Sequence, residues 1–522
     1  QGAPAVEKAV VLARHETGGS LEVCAYVVPK QGGKIHIQGL REHLSKHLPD
    51  YMIPSCFVEL NEIPLTASGK VDRKALLRHE VSVSGTAEYA APRNECEEKM
   101  VGIWQEVLGA EQVGIHDQFF DLGGHSLKAM TMLAKIHKAF GVEVPLQVLF
   151  EKPTVAALSG FVSEAEKDGF AVIEPAPESD DYPLSLAQQR IYIVSQLEGA
   201  GVGYNMPAAA MLEGTLDSGR LEAAFQKLID RHEALRTSFT VVDGEPRQTV
   251  HQRVQFKIEK VKAEGKPIEQ IAKSFVRRFD LAKAPLMRAG LVSLADGRHL
   301  LLFDMHHLVS DGVSISIILN ELAALYNGEE LPELRLHYKD YAFWQRAQAQ
   351  EGFQKEEAYW ESMFAGELPV LQLMTDEPRP PVQSFEGDRV SAVLPKDLKE
   401  KLAVLAEQNG ATLYMVMLSA YNMLLAKYSG QEDVIVGTPA AGRRHSDLEG
   451  IIGMFVNTLA IRSKVDPGRT FADFLNDVKK TVIDAFEHQD YPFERLAEKF
   501  GASRDLSRHP ICDTMFIWQN AW

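Results

Sequence analysis

The spacing of apolar residues falls into three patterns along the chain. Over 6–13 and 21–28, short β-branched runs flank a turn at Gly18-Gly19, and 56–60 reads as another strand. Between them, Leu40, Leu44 and Leu48 recur at helical steps, which predicts a helix over about 37–47. The next stretch is helical throughout. Residues 97–108 place Met100, Ile103, Trp104 and Leu108 on one face. Residues 127–140 do the same with Leu127, Met130, Leu133, Ile136 and Phe140, and Gly141 stands where a left-handed residue closes a helix. From 182 onward, long amphipathic helices alternate with apolar strands such as 299–307 and 433–437, an α/β or α+β pattern.

Two breaks in this patterning read as linkers. One, over 81–91, is small and polar, and the other, over 166–181, carries alternating proline and acidic residues, which keep a chain extended and solvated. With 522 residues, 45% of them hydrophobic and 24% charged, each segment between the breaks has enough apolar side chains for its own core. The net charge of −17 argues against binding nucleic-acid backbones, and no apolar run approaches the length of a membrane span. Cys24, Cys56, Cys96 and Cys512 are scattered without a CxxC pair, so neither a disulfide framework nor a zinc cluster is expected, and a cytoplasmic location fits. The chain opens with Gln1 and no signal segment follows, the look of a piece from a longer polypeptide.

Three strings carry candidate chemistry. In Asp117-Gln-Phe-Phe-Asp-Leu-Gly-Gly-His-Ser126-Leu127, two glycines permit a tight turn and Ser126 falls at a helix start. An N-cap serine is the plain reading, and a hydroxyl held at a positive helix end for a phosphate ester is the functional one. In Pro64-Leu-Thr-Ala-Ser-Gly-Lys70-Val-Asp-Arg73, Lys70 is either a solvated surface charge or a cation for a carboxylate attacking a phosphate. The run 299–312 is a buried strand ending in His306 and His307, followed by Asp311 and Gly312. Adjacent strand residues point to opposite faces, so one histidine should face a cleft. A metal would need a third ligand at a suitable spacing, none is evident, and no metal is expected.

These strings resemble the motifs of nonribosomal peptide synthetases. The string around Ser126 is similar to the phosphopantetheine-attachment motif of their carrier domains. Leu48-Pro-Asp-Tyr-Met-Ile-Pro54 and the Lys70 string resemble the last two motifs of adenylation domains. The His306–Gly312 run resembles the condensation-domain signature, together with 185–192, 231–239, 338–344, 452–459, 488–494 and 504–510 in order.

The resemblance implies a multidomain chain. It would hold a small α+β adenylation C-terminal subdomain (1–80), a four-helix-bundle carrier (92–165) and an α/β two-lobed condensation domain resembling chloramphenicol acetyltransferase (182–522). The N-lobe would cover about 182–350 and a partial, C-terminally cut C-lobe about 351–522. It implies covalent 4'-phosphopantetheine on Ser126, an adenylate contact by Lys70 in an incomplete site, and catalysis by His307 as general base or as an electrostatic or positioning group. His306, Asp311, Gly312, Arg231 and Arg236 would support the loop, with Asp311 pairing to an arginine of 231–239, Arg236 in preference to Arg231. ATP and Mg would serve only the absent part of the adenylation domain.

The expected function is peptide-bond formation between an L-configured donor and an aminoacyl acceptor. Expected partners are a phosphopantetheinyl transferase, the upstream adenylation subdomain, a downstream acceptor carrier, and amino-acid and peptidyl thioesters as substrates. The alternatives are a carrier and docking fragment without condensation activity, and an epimerase-like member of the same family.

Overall fold

The structure is a computed structural model of all 522 residues. It describes residues 6–15, 21–30, 56–60, 63–64, 76, 89–165, 172–197, 201–262, 265–294, 298–381, 387–501 and 507–519. Lys70, the Gly18-Gly19 turn and the expected helix over 37–47 lie outside the described residues. The chain divides into two units: Gln1–Asp168 with Leu394–Lys401, and Gly169–Val393 with Leu402–Trp522.

In the first unit, β1 (Val6–His15) pairs antiparallel with β2 (Leu21–Pro29), and β2 pairs parallel with β3 (Cys56–Glu59). The sheet buries both faces. Val6, Ala25 and Val27 form one small core, and Tyr26 packs with Leu76 in another. Four helices follow: α1 (Glu95–Leu108), α2 (Ser126–Phe140), α3 (Leu146–Glu151) and α4 (Val155–Glu164). The Asn94 side chain caps α1 by accepting from Glu97 N at 2.9 Å, and Gly109 ends the helix at φ 73°. Trp104 and Phe119, both fully buried, meet edge to face at 5.4 Å and anchor the loop that leads to Ser126. Gly141 closes α2 at φ 67°. The buried residues of α2 include Ala129, Met132, Leu133, Ala134 and Ile136; Met130 and Phe140, expected among them, are only partly buried.

The second unit begins with β4 (Tyr182–Pro183), α5 (Leu186–Ser195), β5 (Ala208–Leu212) and α6 (Ser218–Arg231). A 3₁₀ turn (Glu233–Arg236), β6 (Thr237–Val242), β7 (Glu245–Val250), β8 (Glu259–Val261) and α7 (Ile268–Phe275) come next. Then come β9 (Met287–Ser293), β10 (His299–Met305), α8 (Gly312–Asn327), α9 (Tyr338–Glu351) and α10 (Gln354–Met363). After α11 (Lys396–Gln408), whose residues up to Lys401 fall in the first unit, the later part holds α12 (Leu413–Ser429), β11 (Asp433–Ala440), β12 (Asn457–Lys464), α13 (Phe471–Glu487) and α14 (Phe493–Phe500).

The strands form sheets of order β5-β10-β9-β8, β4-β7-β6 and β11-β12. Central β10 is buried on both faces, which is why its sequence runs Leu-Leu-Leu-Phe without polar alternation. One core joins the two halves of this unit: Phe225, Leu228, Phe303 and Met305 from the first pack continuously with Ile451, Ile452, Met454 and Phe455 from the second. Each such side chain, fully buried, stabilises the fold by roughly 1.5–3 kcal/mol.

Candidate active site

Strand β10 stops at Met305, two residues short of the expected end, yet its neighbours continue to hold the chain. Met206 N donates to Met305 O at 2.8 Å, and His307 N donates to Tyr204 O at 2.9 Å. On the other side His306 N donates to Leu286 O at 2.9 Å. The two imidazoles therefore keep the alternation of a strand. His306 is buried between the rings of Tyr204 and Phe279, at 6.4 and 6.2 Å. Its Nδ1 accepts from Leu308 N at 3.2 Å. Burial first, and the neighbouring His307 second, push its pKa down to about 4, so it is neutral at pH 7.

His307 is half-buried, and its Nδ1 lies 2.8 Å from the carbonyl of Ser310. A carbonyl only accepts, so Nδ1 carries the proton and the Nε2 lone pair is left free of that bond. Burial lowers its pKa, and Asp311 works in the opposite direction. The site thus presents one neutral, oriented imidazole with a basic nitrogen.

Asp311 is wholly buried. Its Oδ1 accepts from Ser314 N and Ser314 Oγ, both at 2.7 Å, which makes it the N-cap of α8. Both carboxylate oxygens also accept from Arg443 Nη2 at 3.2 Å, and Oδ2 accepts from Phe455 N at 3.2 Å. This corrects the expected pairing with Arg236. That guanidinium donates to His251 O at 2.5 Å and reaches Glu233 at 3.4 Å, whereas Arg231 pairs with Glu321 at 3.1 Å. Residues 231–239 brace α8 and α9 instead, through Glu321 and through Lys339, which meets Glu233 at 2.8 Å. The physical reason is satisfaction. Arg443 also donates through Nη1 to Leu448 O and Ile451 O, at 2.7 and 2.6 Å, and stacks on Phe455 at 3.9 Å, so a buried cation with both terminal nitrogens bonded stands where Asp311 arrives. A Cβ at Gly312 would meet no protein atom within 4 Å, so the chain's own packing does not demand glycine there.

Other expected motifs converge on the same loop. Ser185 and Gln188 form a capping box on α5, and Gln188 Nε2 donates to Leu308 O at 3.0 Å. Arg190 on α5 pairs with Glu494 at 3.1 Å. Asn457 Nδ2 donates to Gln489 O and Tyr491 O, both at 2.7 Å, and its Oδ1 accepts from Phe493 N at 3.1 Å, so one side chain shapes the 488–494 turn. Tyr338 bonds Ser185 Oγ at 2.8 Å and donates to Met454 O.

In the first unit, Ser126 is the first residue of α2, not its cap. His125 takes the cap position, with Nδ1 3.5 Å from Lys128 N. Gly123 adopts φ 85°, and a Cβ on Gly124 would lie 2.4 Å from the Phe119 ring. Both glycines are thus needed for the turn that delivers Ser126. A helix start whose cap is supplied by the preceding residue suits a serine that carries a phosphate ester, because free N–H groups and the helix dipole favour the anion.

The model of the family described as Condensation domain matches residues 178–522. The chain belongs to the condensation-domain family of nonribosomal peptide synthetases. Two further models match ahead of the condensation domain: the AMP-binding enzyme C-terminal domain over 1–70 and the Phosphopantetheine attachment site over 98–162. Surfactin synthase subunit 1 of Bacillus subtilis (strain 168) is 64% identical over 522 residues, which is 100% of this chain and 14% of that protein. The X-domain from teicoplanin biosynthesis superposes with a TM-score of 0.61 at 27% identity, covering 66% of this chain and 79% of that one. The condensation domain of Monacolin K polyketide synthase, at 24% identity and a TM-score of 0.59, covers 64% of this chain and 81% of its own, and shows the shared fold. The fold is the two-lobed α/β architecture of condensation domains, preceded by carrier and adenylation C-terminal parts.

Proposed function

We propose that this chain carries an aminoacyl or peptidyl group on phosphopantetheine at Ser126 and that its condensation domain, with His307, joins such a donor to the amine of a second, carrier-bound amino acid. The observation that carries the reading is the His307 imidazole: neutral, oriented through Nδ1, with Nε2 free of that bond. The matches to condensation and phosphopantetheine-attachment models support it over a carrier-only or epimerase-like role. The adenylation subdomain, carrier and condensation domain occupy about 1–80, 92–165 and 182–522 in this reading, with Lys70 contributing to an adenylate site that needs the rest of an adenylation domain, ATP and Mg. The prosthetic arm supplies a thiol that holds the acyl group as an activated thioester.

In the reaction, the acceptor nitrogen forms a bond to the thioester carbonyl carbon, the carbon–sulfur bond breaks, and the sulfur leaves with the electron pair and takes a proton. His307 Nε2 accepts the proton that the nitrogen sheds. A nitrogen bonding to a carbonyl becomes strongly acidic, so an imidazole of lowered pKa is basic enough. Holding both reactants in one site makes the step effectively unimolecular. Asp311 and Arg443 fix the loop and touch neither reactant. Arg231 braces α8 through Glu321, and Arg236 bonds His251 O, just past β7, and Glu233, which in turn meets Lys339 of α9.

The partners in this reading are a phosphopantetheinyl transferase, an upstream adenylation subdomain and a downstream acceptor carrier, and the donor is L-configured. A cytoplasmic location suits an arm that works as a free thiol, which a reducing compartment preserves.

The test has two arms. Treatment with a phosphopantetheinyl transferase and coenzyme A should add one arm to the wild type and none to Ser126→Ala, read by intact mass. In single turnover, His307→Ala should lose about 10²–10⁴ in the rate of amide formation. A mass gain in Ser126→Ala, or a His307→Ala variant of full rate, overturns the corresponding assignment.

A further inference from the structure

Beyond the end of β10, His306 is held from one side by Leu286 O, and His307 from the other by residues 204–206, a segment that one side chain ties down. Asn205 Nδ2 donates to Asp304 Oδ2 at 2.8 Å and to the carbonyl of Arg277 at 3.0 Å. Asp304 is fully buried, two residues before His306 on the same face of β10. Directly opposite it in register on β9 stands Arg288, whose Nη1 is 3.5 Å from Asp304 Oδ2 and 2.8 Å from Arg277 O. The Arg288 guanidinium lies 3.7 Å from the centre of the Phe279 ring, and Phe279 meets His306 edge to face.

The backbone of the same segment does two things at once. Asn205 bridges to His306, and the Tyr204 carbonyl takes the His307 N–H. The register of 204–206 therefore sets where the His307 imidazole sits.

This cluster is expensive for the fold. Among the described residues, Asp304 Oδ1 and Asn205 Oδ1 are buried without a hydrogen-bond partner, and burial raises the Asp304 pKa. Unpaired buried acceptors cost stability, and an apolar pair of similar size would avoid that cost. Such locally unfavourable groups are characteristic of places where function constrains the chain.

We propose that Asn205 is a positioning residue for His307. Its two hydrogen bonds, to Asp304 and to the Arg277 carbonyl, lock the 204–206 segment, and through the Tyr204 carbonyl they fix the catalytic imidazole against the reacting nitrogen. The inference rests on the reading of His307 as the residue that accepts the amine proton.

The experiment uses the full chain with a leucyl group loaded on Ser126 from leucyl-coenzyme A, and an aminoacyl N-acetylcysteamine thioester as acceptor. Asn205→Ala should lower the single-turnover rate up to about 10²-fold, the scale of an ångström-sized misplacement, with little change in the acceptor concentration for half-saturation. In the His307→Ala background the same substitution should cost no further rate, because there is no imidazole left to position. Asp304→Asn, whose amide oxygen still accepts from Asn205 Nδ2 while Asn205 keeps its bond to the Arg277 carbonyl, should keep most of the rate, whereas Asp304→Ala should lose rate in the way Asn205→Ala does. This pair also serves if Asn205→Ala melts too early to assay.

An unchanged rate in a folded Asn205→Ala, an equal loss in both backgrounds, or a folded Asp304→Ala of full rate overturns the proposal. A fully active His307→Ala would instead sink the catalytic reading on which it rests, and is scored separately.

Discussion

At the scale of single residues, the site is a division of labour among charged and polar side chains that the sequence places next to one another. His307 is half-buried, and Asp311, four residues on, is sealed in. Asp311 is bound to a helix start, to a backbone N–H and to Arg443, with no group spare for a substrate. Removing one partner of such a buried pair strands the other charge, at a cost of about 3–5 kcal/mol. We expect Arg443→Gln to lower the melting temperature of the condensation domain strongly and Arg236→Gln to lower it far less, because Arg236 bonds one carbonyl and one nearby carboxylate. Differential scanning calorimetry on the two variants checks this, and equal losses would return Asp311 to Arg236. The histidines and Asp311 were legible in the sequence as a short run. Arg443 was not, because it meets Asp311 across 132 residues and stands in a stretch with no periodic or spacing signal. The two functions of Asp311 differ in the same way: its capping of α8 is local and is written in Asp-Gly-Val-Ser, whereas its ion pair exists only once the two halves of the unit have packed.

At the scale of elements, hydrophobic period and end signals gave the helices well. The capping of α1 and the glycine that closes α2 fall where propensity places them, and the apolar face of α1 includes Met100, Trp104 and Leu108 as its spacing requires. The start of α2 is where local reading went astray. Serine is the stronger N-cap by statistics, but the Gly123-Gly124 turn packs Gly124 on Phe119 and shifts the cap to His125. Tertiary packing overrode propensity by one residue. This gives a paired prediction on two glycines of the carrier. Gly124→Ala would drive a methyl group into the Phe119 ring and should destabilise the helical bundle, whereas Gly102→Ala, exposed in the middle of α1 with nothing within 4 Å, should stabilise it by about 0.5–1 kcal/mol. Hydrogen exchange of the amides of α1 and α2 in the full chain reads both. Faster exchange in Gly102→Ala would show that α1 is not open at that position, and unchanged exchange in Gly124→Ala would show that the turn is not packed as described.

At the scale of the whole molecule, the buried His306 and the half-buried His509 tie stability to pH. Burial holds His306 and His509 neutral, each pushed down to about 4, with the neighbouring His307 adding to the effect at His306 and Arg190 at His509. In the unfolded chain both titrate near 6.5, so between pH 6.5 and 4 the unfolded state binds protons that the folded state refuses. The sign follows: the stability these groups confer is complete above pH 6.5 and drains away as the pH falls toward 4. Each group can contribute up to about 3 kcal/mol over that window. The second unit should therefore lose stability on mild acidification, before its carboxylates titrate. Urea midpoints measured from pH 7 to 4.5 should fall with a slope near pH 5 that diminishes by about one proton in His306→Gln and by about one more when His509→Leu is added. The comparison is of slopes, so the constant cost of each substitution drops out. Slopes that match the wild type would mean that both imidazoles already accept protons in the folded state. The packing of His306 between Tyr204 and Phe279 would then have to be looser than the structure shows.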